Sequence, residues 1–180
     1  EANGESCVLL ASFYMSNKTK NLYNNKFYLE PFKKTAQKGC DLGNSNACYL
    51  LAKYYYKYLD LLNKRENKTD ELAISEARKF GKRVCAELKD AGKCVRLAEF
   101  ETDIKENDDE RVKNMLFYLK TGCDELGDVK VCQTLAEHYD EGVVNMRKPY
   151  HLDEKFINQK QALHYYDKAC ALGVGCMRLA

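Results

Sequence analysis

Apolar positions recur three and four residues apart in a series of short segments of this chain, with polar positions between them. The segment Asp109–Gly122 shows the pattern well, because Val112, Met115, Leu116 and Leu119 would all lie along one face of a helix. The two prolines and ten glycines are few for an all-β chain, and Lys, Glu, Leu and Ala are abundant. The pattern therefore predicts amphipathic helices.

The predicted helices come in pairs that a short turn joins. Gly127 is typical of the left-handed residue that ends a helix, and Asp128 is typical of the residue that caps the next one. A further helix, at about Ser6–Ser16, would be the second member of a pair that begins before Glu1. The four pairs are Phe27–Cys40 with Ala47–Leu62, Glu71–Leu88 with Lys93–Ile104, Asp109–Gly122 with Val131–Tyr139, and Lys160–Cys170 with a helix from Cys176 onward.

The motif Cys-x-x-Leu-Ala gives these pairs a common register. Its first cysteines lie 41, 46, 38 and 44 residues apart. Self-similarity at a period of about 20–50 residues is typical of stacked repeats. The sequence therefore predicts an all-α fold, an α/α superhelix (solenoid) of antiparallel helix pairs. The five copies are Cys7–Ala11, Cys48–Ala52, Cys94–Ala98, Cys132–Ala136 and Cys176–Ala180.

A single repeat domain is predicted over residues 1–180. It would contain a half repeat at 1–17, repeats at about 27–62, 71–104 and 109–142, and a partial repeat at 159–180. Because both ends interrupt a repeat, we expect the chain to be a fragment of a longer array.

The nine cysteines follow the same repeat. One member of each pair lies in the last turn of a first helix and the other at the start of the second, and a tight hairpin brings such positions within the Cα separation of about 4.4–6.8 Å that a disulfide needs. Loop-closure entropy would make each bridge worth roughly 2.5 kcal/mol. Regular pairs of this kind indicate an oxidising compartment. The predicted disulfides are Cys40–Cys48, Cys85–Cys94, Cys123–Cys132 and Cys170–Cys176, and Cys7 is left unpaired, with its partner expected before Glu1.

A zinc site is the alternative use of these cysteines. Structural zinc sites favour two cysteines separated by two to four residues, and the sequence has no such knuckle. His138, His151 and His164 do not fall at ligand spacing around the cysteines. The Cys-x-x-Cys redox motif is missing as well. We therefore expect no metal and no other cofactor.

Charge and hydropathy limit the classes of partner. The chain has 29 basic and 27 acidic residues, a net charge of +2, and so lacks the basic footprint of a nucleic-acid-binding protein. No apolar run approaches the roughly 18–20 residues of a membrane helix. We expect no nucleic-acid partner and no membrane insertion.

Polar connectors of variable length separate the helix pairs, and such insertions often line the binding face of a repeat array. The longest, Val143–Asn158, carries four large side chains that are candidate contacts: Arg147, Tyr150, His151 and Phe156. The alternative is a loop that packs back on its own repeat.

Tyrosine is the other candidate contact residue, because its ring offers area and its hydroxyl a polar tip. At least half of the thirteen tyrosines are expected to fill the core. Tyr55 and Tyr139 fall in the core phase of the repeat, whereas Tyr54 and Tyr58 fall off it. The latter two are the predicted contacts.

Four stretches carry a family resemblance: Lys38–Cys48, Gly122–Cys132, Tyr139–Val143 and Ala162–Gly173. On them the chain resembles Sel-one-like repeat proteins, which are relatives of tetratricopeptide repeats, and within that family the secreted cysteine-rich Hcp proteins of bacteria. The resemblance implies a disulfide between the paired helices, a secreted or periplasmic location, and penicillin binding with weak β-lactamase activity. The repeats here are longer than is usual for the family.

Two main classes of function follow. A stacked helical array presents an extended surface, which favours an exported scaffold or adaptor for a protein or peptide ligand. The resemblance implies instead a β-lactamase-type enzyme whose ligand is a β-lactam or a cell-wall fragment. Serine β-lactamases need Ser-x-x-Lys, which is missing, so Lys120–Gly122 stands as an isolated Lys-Thr-Gly and no catalytic residue is predicted. A mitochondrial intermembrane-space factor is a third hypothesis.

Overall fold

Helices account for nearly all of the chain that the computed structural model describes, which is residues 3–15, 26–66, 70–102, 104, 108–145, 151–153 and 156–173. The all-α class is thereby confirmed in its coarse form. The chain falls into two compact units, Glu1–Leu88 and Lys89–Ala180. The stacking of its helix pairs into a superhelix stays a prediction.

The first unit is a set of helices packed in chain order. Its described residues form α1 (Gly4–Met15), α2 (Lys26–Asp41), α3 (Ser45–Glu66) and α4 (Glu71–Lys82), and α4 continues into a five-residue π-helical turn at Arg83–Glu87. α1 packs on α2 and α3, and α3 packs on α2 and α4. The buried positions alternate large and small residues, among them Phe32, Ala36, Leu51, Ala77 and Phe80. Small residues let the helix backbones approach closely.

The second unit repeats this arrangement. It contains α5 (Ala91–Glu101), α6 (Asp108–Lys120) with a π-helical turn at Thr121–Glu125, α7 (Val129–Glu141), the short strands β1 (Val143–Asn145) and β2 (His151–Asp153), and α8 (Gln159–Ala171). α5 packs on α6 and α7, α6 packs on α7, and α7 packs on α8. Its fully buried core includes Leu97, Met115, Tyr118, Leu119 and Leu135.

Local sequence determines where several helices begin. Asp128 Oδ1 accepts a hydrogen bond from the backbone N–H of Val131 at 3.1 Å, and so satisfies one of the first helical N–H groups of α7. Asn44, Asp70 and Asn158 cap α3, α4 and α8 in the same way. The predicted cap at Asp128 is therefore confirmed, as is the predicted left-handed residue before it, because Gly127 has φ +65°.

Disulfides fasten two of the helical hairpins. Cys40 is bonded to Cys48 with a Cα separation of 4.6 Å, and Cys123 is bonded to Cys132 with a Cα separation of 4.7 Å. Both are pairs that the sequence predicts. Because such bonds persist in oxidising surroundings, they indicate that the protein works outside a reducing compartment.

The other cysteines are less completely described. Cys85, Cys94 and Cys170 are each disulfide-bonded, and Cys7 is a buried free cysteine. Cys176, the predicted partner of Cys170, lies outside the described residues. The pairings of Cys85 with Cys94 and of Cys170 with Cys176 stay predictions.

The π-helical turns account for a difference in cysteine spacing. Cys40 and Cys48 are eight residues apart and Cys40 lies in the regular helix α2, whereas Cys123 and Cys132 are nine apart and Cys123 lies in a π turn. A π turn inserts one residue into a helix. The extra residue is thus absorbed while the Cα separation of the bridged cysteines stays the same.

Two junctions between successive helix pairs share the same contacts. At the junction of α3 with α4, Tyr55 stacks on Phe80 with ring centroids 6.2 Å apart. At the junction of α7 with α8, Tyr139 stacks on Tyr165 at 5.8 Å. The two stacks occupy equivalent positions of the repeat. In each, one ring lies seven residues after the second cysteine of a pair, and the other ring lies five residues before the first cysteine of the next pair.

An ion pair accompanies each stack. Arg83 Nη1 lies 3.4 Å from Asp41 Oδ1 in the first unit, and Lys168 Nζ lies 2.8 Å from Asp124 Oδ1 in the second. Each aspartate directly follows the first cysteine of a pair, and each basic residue lies two positions before the first cysteine of the next pair. The stack and the ion pair therefore form a repeated joint between helix pairs.

The connector Val143–Asn158, predicted as a polar loop, contains regular structure. It contains an antiparallel ribbon in which Val143 pairs with Asp153, Val144 with Leu152 and Asn145 with His151. Strands of three residues are too short for a periodic pattern to signal, which is why the sequence did not reveal them.

Within the described ranges, no helix combines the length and the apolar composition that crossing a membrane requires.

Candidate functional site

A cavity of about 260 Å³ lies where α5, α6 and α7 of the second unit meet. Ala98 on α5 and Met115 and Leu119 on α6 form its apolar floor, and all three side chains are buried. Concave apolar sites with a few polar groups are the usual form of a binding site. We define the α5–α7 cavity by this floor and by the polar rim described next.

The rim of the α5–α7 cavity is polar. It is formed by Glu99 and Thr102 at the end of α5 and by Thr134 and His138 on α7. The Thr102 hydroxyl donates to the backbone carbonyl of Glu99 at 2.6 Å, so it is used within α5 itself. Glu99 Oε2 accepts a hydrogen bond from Arg96 Nη1 at 3.0 Å on the exposed side of the same helix. The carboxylate therefore stands at the boundary between cavity and solvent.

The pKa of His138, at the rim, is perturbed. Burial lowers the pKa of the imidazole below its ordinary value of 6.5, and this outweighs the opposing effects of Glu137, of a hydrogen bond with the backbone of Gly142 and of Glu141. The bond with Gly142 raises the pKa, as a bond donated by the imidazole does. A neutral imidazole carries one donor and one acceptor nitrogen.

Residue size explains why the cavity opens at this junction. Eight residues after the second cysteine, α3 has Tyr56, α5 has Thr102 and α7 has Asp140. Tyr56 is buried, and Asp140 accepts hydrogen bonds from Tyr166 and Gln159 on α8. Thr102 is much smaller than Tyr56 and, unlike Asp140, makes its side-chain hydrogen bond within its own helix. The cavity therefore lies where the repeat replaces a large or bridging side chain by a small one.

The same junction also lacks the aromatic stack that is found between α3 and α4 and between α7 and α8. Glu101 and Tyr118 hold the positions that the stacked rings occupy elsewhere, and both are fully buried. One ring of the stack is thus replaced by a carboxyl group. The junction of α5 with α6 is chemically distinct from those of α3 with α4 and of α7 with α8.

The arrangement is suited to binding. Neither a serine nor a cysteine lines the α5–α7 cavity, and its hydroxyl groups belong to Thr134 and to Thr102, which bonds to the backbone of Glu99. In the part of the chain that the structure describes, no three His, Cys, Asp or Glu side chains come together as metal ligands. An apolar floor with a hydrogen-bonding rim can hold a ligand and orient it.

The structure corrects one of the two predicted tyrosine contacts. Tyr54 is only 3% exposed and packs against Phe32, with ring centroids 5.5 Å apart. Tyr58 is half-buried and stacks on Tyr54 at 6.3 Å. Tyr54 is therefore a core residue, because α3 is contacted by α1, α2 and α4 and buries more than the one face that its periodicity suggests.

The predicted contacts in the connector are only partly described. Arg147 and Tyr150 lie outside the described residues, His151 begins β2, and Phe156 is half-buried just before α8. The role of these four as a contact site stays a prediction.

The Lys-Thr-Gly sequence at Lys120–Gly122 has a structural role. Thr121 and Gly122 are buried in the π turn that ends α6, and a Cβ on Gly122 would lie 2.8 Å from Cγ1 of Val131. Lys120 Nζ lies over the ring of Tyr139, 5.9 Å from its centroid. The glycine is required where α6 and α7 approach each other.

Sequence reasoning did not find the α5–α7 cavity. Its residues come from three helices and share no motif. The signal was nevertheless present, since aligning the repeats on their cysteines shows threonine at position 102 against Tyr56 and Asp140. A change of side-chain volume at one repeat position is the feature that would have located it.

No protein-family model, no curated protein sequence and no solved structure matches this chain.

Proposed function

We propose that this protein is a non-catalytic, disulfide-stapled helical-repeat scaffold that binds a protein or peptide ligand in an exported location, secreted or periplasmic. The observation that carries the proposal is the α5–α7 cavity, an apolar site with a polar rim at a junction that lacks the stacked rings of the repeated joint. A packing defect of this kind costs stability. An apolar site that stays open despite this cost favours a binding role.

Three further features support a scaffold. The disulfides fix the hairpins, so little conformational entropy is lost when a ligand binds to them. The repeated joint of stacked rings and ion pairs suits a superhelix in which each helix pair contacts its neighbours. The resemblance to exported Sel-one-like repeat proteins agrees with the oxidising environment that the disulfides indicate.

Selection from a random-peptide display library tests this function. The whole oxidised chain serves as bait, and the same chain after reduction and alkylation serves as the matched control. We expect related peptides to be enriched on the oxidised chain, with dissociation constants in the micromolar range, and to be lost on the control. Equal enrichment on both baits, or none on either, would contradict a folded binding surface.

A further inference from the structure

The size of the α5–α7 cavity limits what it can hold. An engineered protein cavity of about 150 Å³ is large enough to bind benzene. At about 260 Å³ this cavity has room for a single substituted or fused aromatic ring. It is too small for a folded element or for several side chains at once. The occupant is therefore a single group of about that size.

The floor of the cavity favours an aromatic ring. Ala98 leaves space beside α5, and Met115 and Leu119 present flexible apolar groups from α6. Methionine sulfur makes favourable contacts with aromatic rings and adapts to their shape. A charged ammonium or guanidinium group would have to lose its hydration against this floor, and such a loss is costly. The carboxylate of Glu99 is, moreover, already paired with Arg96.

The rim of the cavity offers mainly hydrogen-bond acceptors. The Glu99 carboxylate is an acceptor only. His138 lines the cavity, and its neutral ring carries one acceptor nitrogen beside one donor. The Thr134 hydroxyl can act either way. A ring that carries an O–H or N–H donor at its edge matches this rim, whereas a carboxylate or phosphate needs donors, which Glu99 lacks.

We propose that the α5–α7 cavity is the anchor site for one tyrosine or tryptophan side chain of an extended peptide ligand, with the ring on Met115 and Leu119 and its donor at the rim of Glu99, Thr134 and His138. The source of the ring, a peptide, rests on the proposed function. The choice of an aromatic ring with an O–H or N–H donor rests on the cavity itself.

Small aromatic probes test directly whether the cavity binds an aromatic ring and prefers one with a donor. 4-Methylphenol and toluene have the same ring and methyl group, but only the phenol carries a donor. The readout is the NMR signal of the Met115 methyl group, assigned with a Met115→Leu variant. We expect both probes to shift this signal saturably, with the phenol bound about 2- to 12-fold more tightly, the effect of one hydrogen bond. If neither probe shifts the signal, the cavity does not bind an aromatic ring and the proposal is overturned. Equal affinity overturns the tyrosine or tryptophan anchor, because the donor would then make no contact at the rim.

Variants at residue 102 test the location. Thr102→Tyr places in α5 the residue that α3 has at the equivalent position, and it should fill the cavity and abolish probe binding. Thr102→Val keeps the volume of the side chain and should retain it. If Thr102→Tyr fails to fold, Thr134→Trp at the half-buried rim provides a second block. Retained binding in a folded Thr102→Tyr or Thr134→Trp variant overturns the location.

Peptides test the source of the ring. A peptide selected on the oxidised chain should lose about 30-fold or more in affinity when its anchor tyrosine or tryptophan becomes alanine. It should lose as much when the chain carries Thr102→Tyr. Selected peptides that bind the variant unchanged would overturn the anchor site and leave the scaffold function standing. Probe binding without any selected peptide would overturn the peptide source and with it the scaffold function, because the ligand would then be a free aromatic compound.

Discussion

Single residues at the hairpin turns determine how closely the paired helices approach. A Cβ on Gly122 would lie 2.8 Å from Cγ1 and 3.2 Å from Cγ2 of Val131, distances at which the helices would have to shift. We expect Gly122→Ala to lower the free energy of unfolding by about 1–3 kcal/mol, the usual cost of overpacking. Chemical denaturation of the oxidised protein measures this.

Gly92 provides the matched control for Gly122. It also lies in a helix, but the nearest atom to an added Cβ is Asp90 Oδ1 at 3.9 Å, an ordinary contact. Gly92→Ala should therefore leave the free energy of unfolding unchanged or raise it by up to ~1 kcal/mol, because alanine favours the helix. Equal destabilisation by both substitutions would show that the close approach at Val131 is not the cause.

His138 makes stability depend on pH. Burial lowers its pKa in the folded protein below the ordinary value of 6.5, so the unfolded chain binds the proton more readily. Stability is therefore fully present above about pH 6.5 and decreases as the pH falls towards the folded pKa, by at most about 1.4 kcal/mol per pH unit.

A His138→Gln variant isolates that contribution. Thermal unfolding of both proteins, followed from about pH 7.5 to about pH 5.5, should show a shallower decrease in the variant. The comparison removes the effect of groups that both proteins share. Identical slopes would mean that His138 has the same pKa in the folded and unfolded chains.

Ion pairs between helix pairs act at the scale of the element. Lys168 Nζ lies 2.8 Å from Asp124 Oδ1, and Asp124 also accepts a hydrogen bond from the Tyr165 hydroxyl at 3.1 Å. Because the charged side chains are about a third exposed, solvent screens their attraction. A double-mutant cycle with Asp124→Ala and Lys168→Ala should give a favourable coupling of about 0.5–1 kcal/mol.

The pair Glu110–Lys113 is the control for this cycle. Its atoms are 3.2 Å apart, but both residues lie on α6 and are more exposed. Its coupling should be smaller, about 0.2–0.5 kcal/mol, because both side chains are more exposed to solvent and link no second helix. A coupling at Asp124 no larger than this would mean that the joint depends on the stacked rings alone.

Elements could be predicted where the sequence signal is local, and not where it depends on contacts with distant parts of the chain. The predicted helix at Asp109–Gly122 and the observed α6 nearly coincide, because helical periodicity and capping are local properties. The π turns were missed although the spacing of nine residues between Cys123 and Cys132, against eight between Cys40 and Cys48, recorded the extra residue. Tyr54 was misplaced because its burial depends on contacts from three other helices.

At the scale of the whole molecule, the cysteines allowed the most to be predicted. Their regular spacing predicted both the hairpins and an oxidising environment, and the bonded pairs Cys40–Cys48 and Cys123–Cys132 support both. The α5–α7 cavity lay beyond such reasoning, because a cavity depends on the summed volumes of side chains from separate helices. Aligned repeats can show where a volume is missing, as at Thr102, but only packing shows that it stays unfilled.

The repeat organisation predicts that damage to one hairpin stays local. In a stacked array each helix pair contacts only its neighbours, so stability is a sum of local terms. Replacing both Cys123 and Cys132 by alanine removes a bridge worth roughly 2.5 kcal/mol. Amide hydrogen exchange should then speed up in α6 and α7, whereas α2 and α3 of the first unit keep their protection.

The reciprocal variant, with alanine at Cys40 and Cys48, should give the opposite pattern. Uniform loss of protection throughout both units, in either variant, would show one cooperative domain instead of a repeat array.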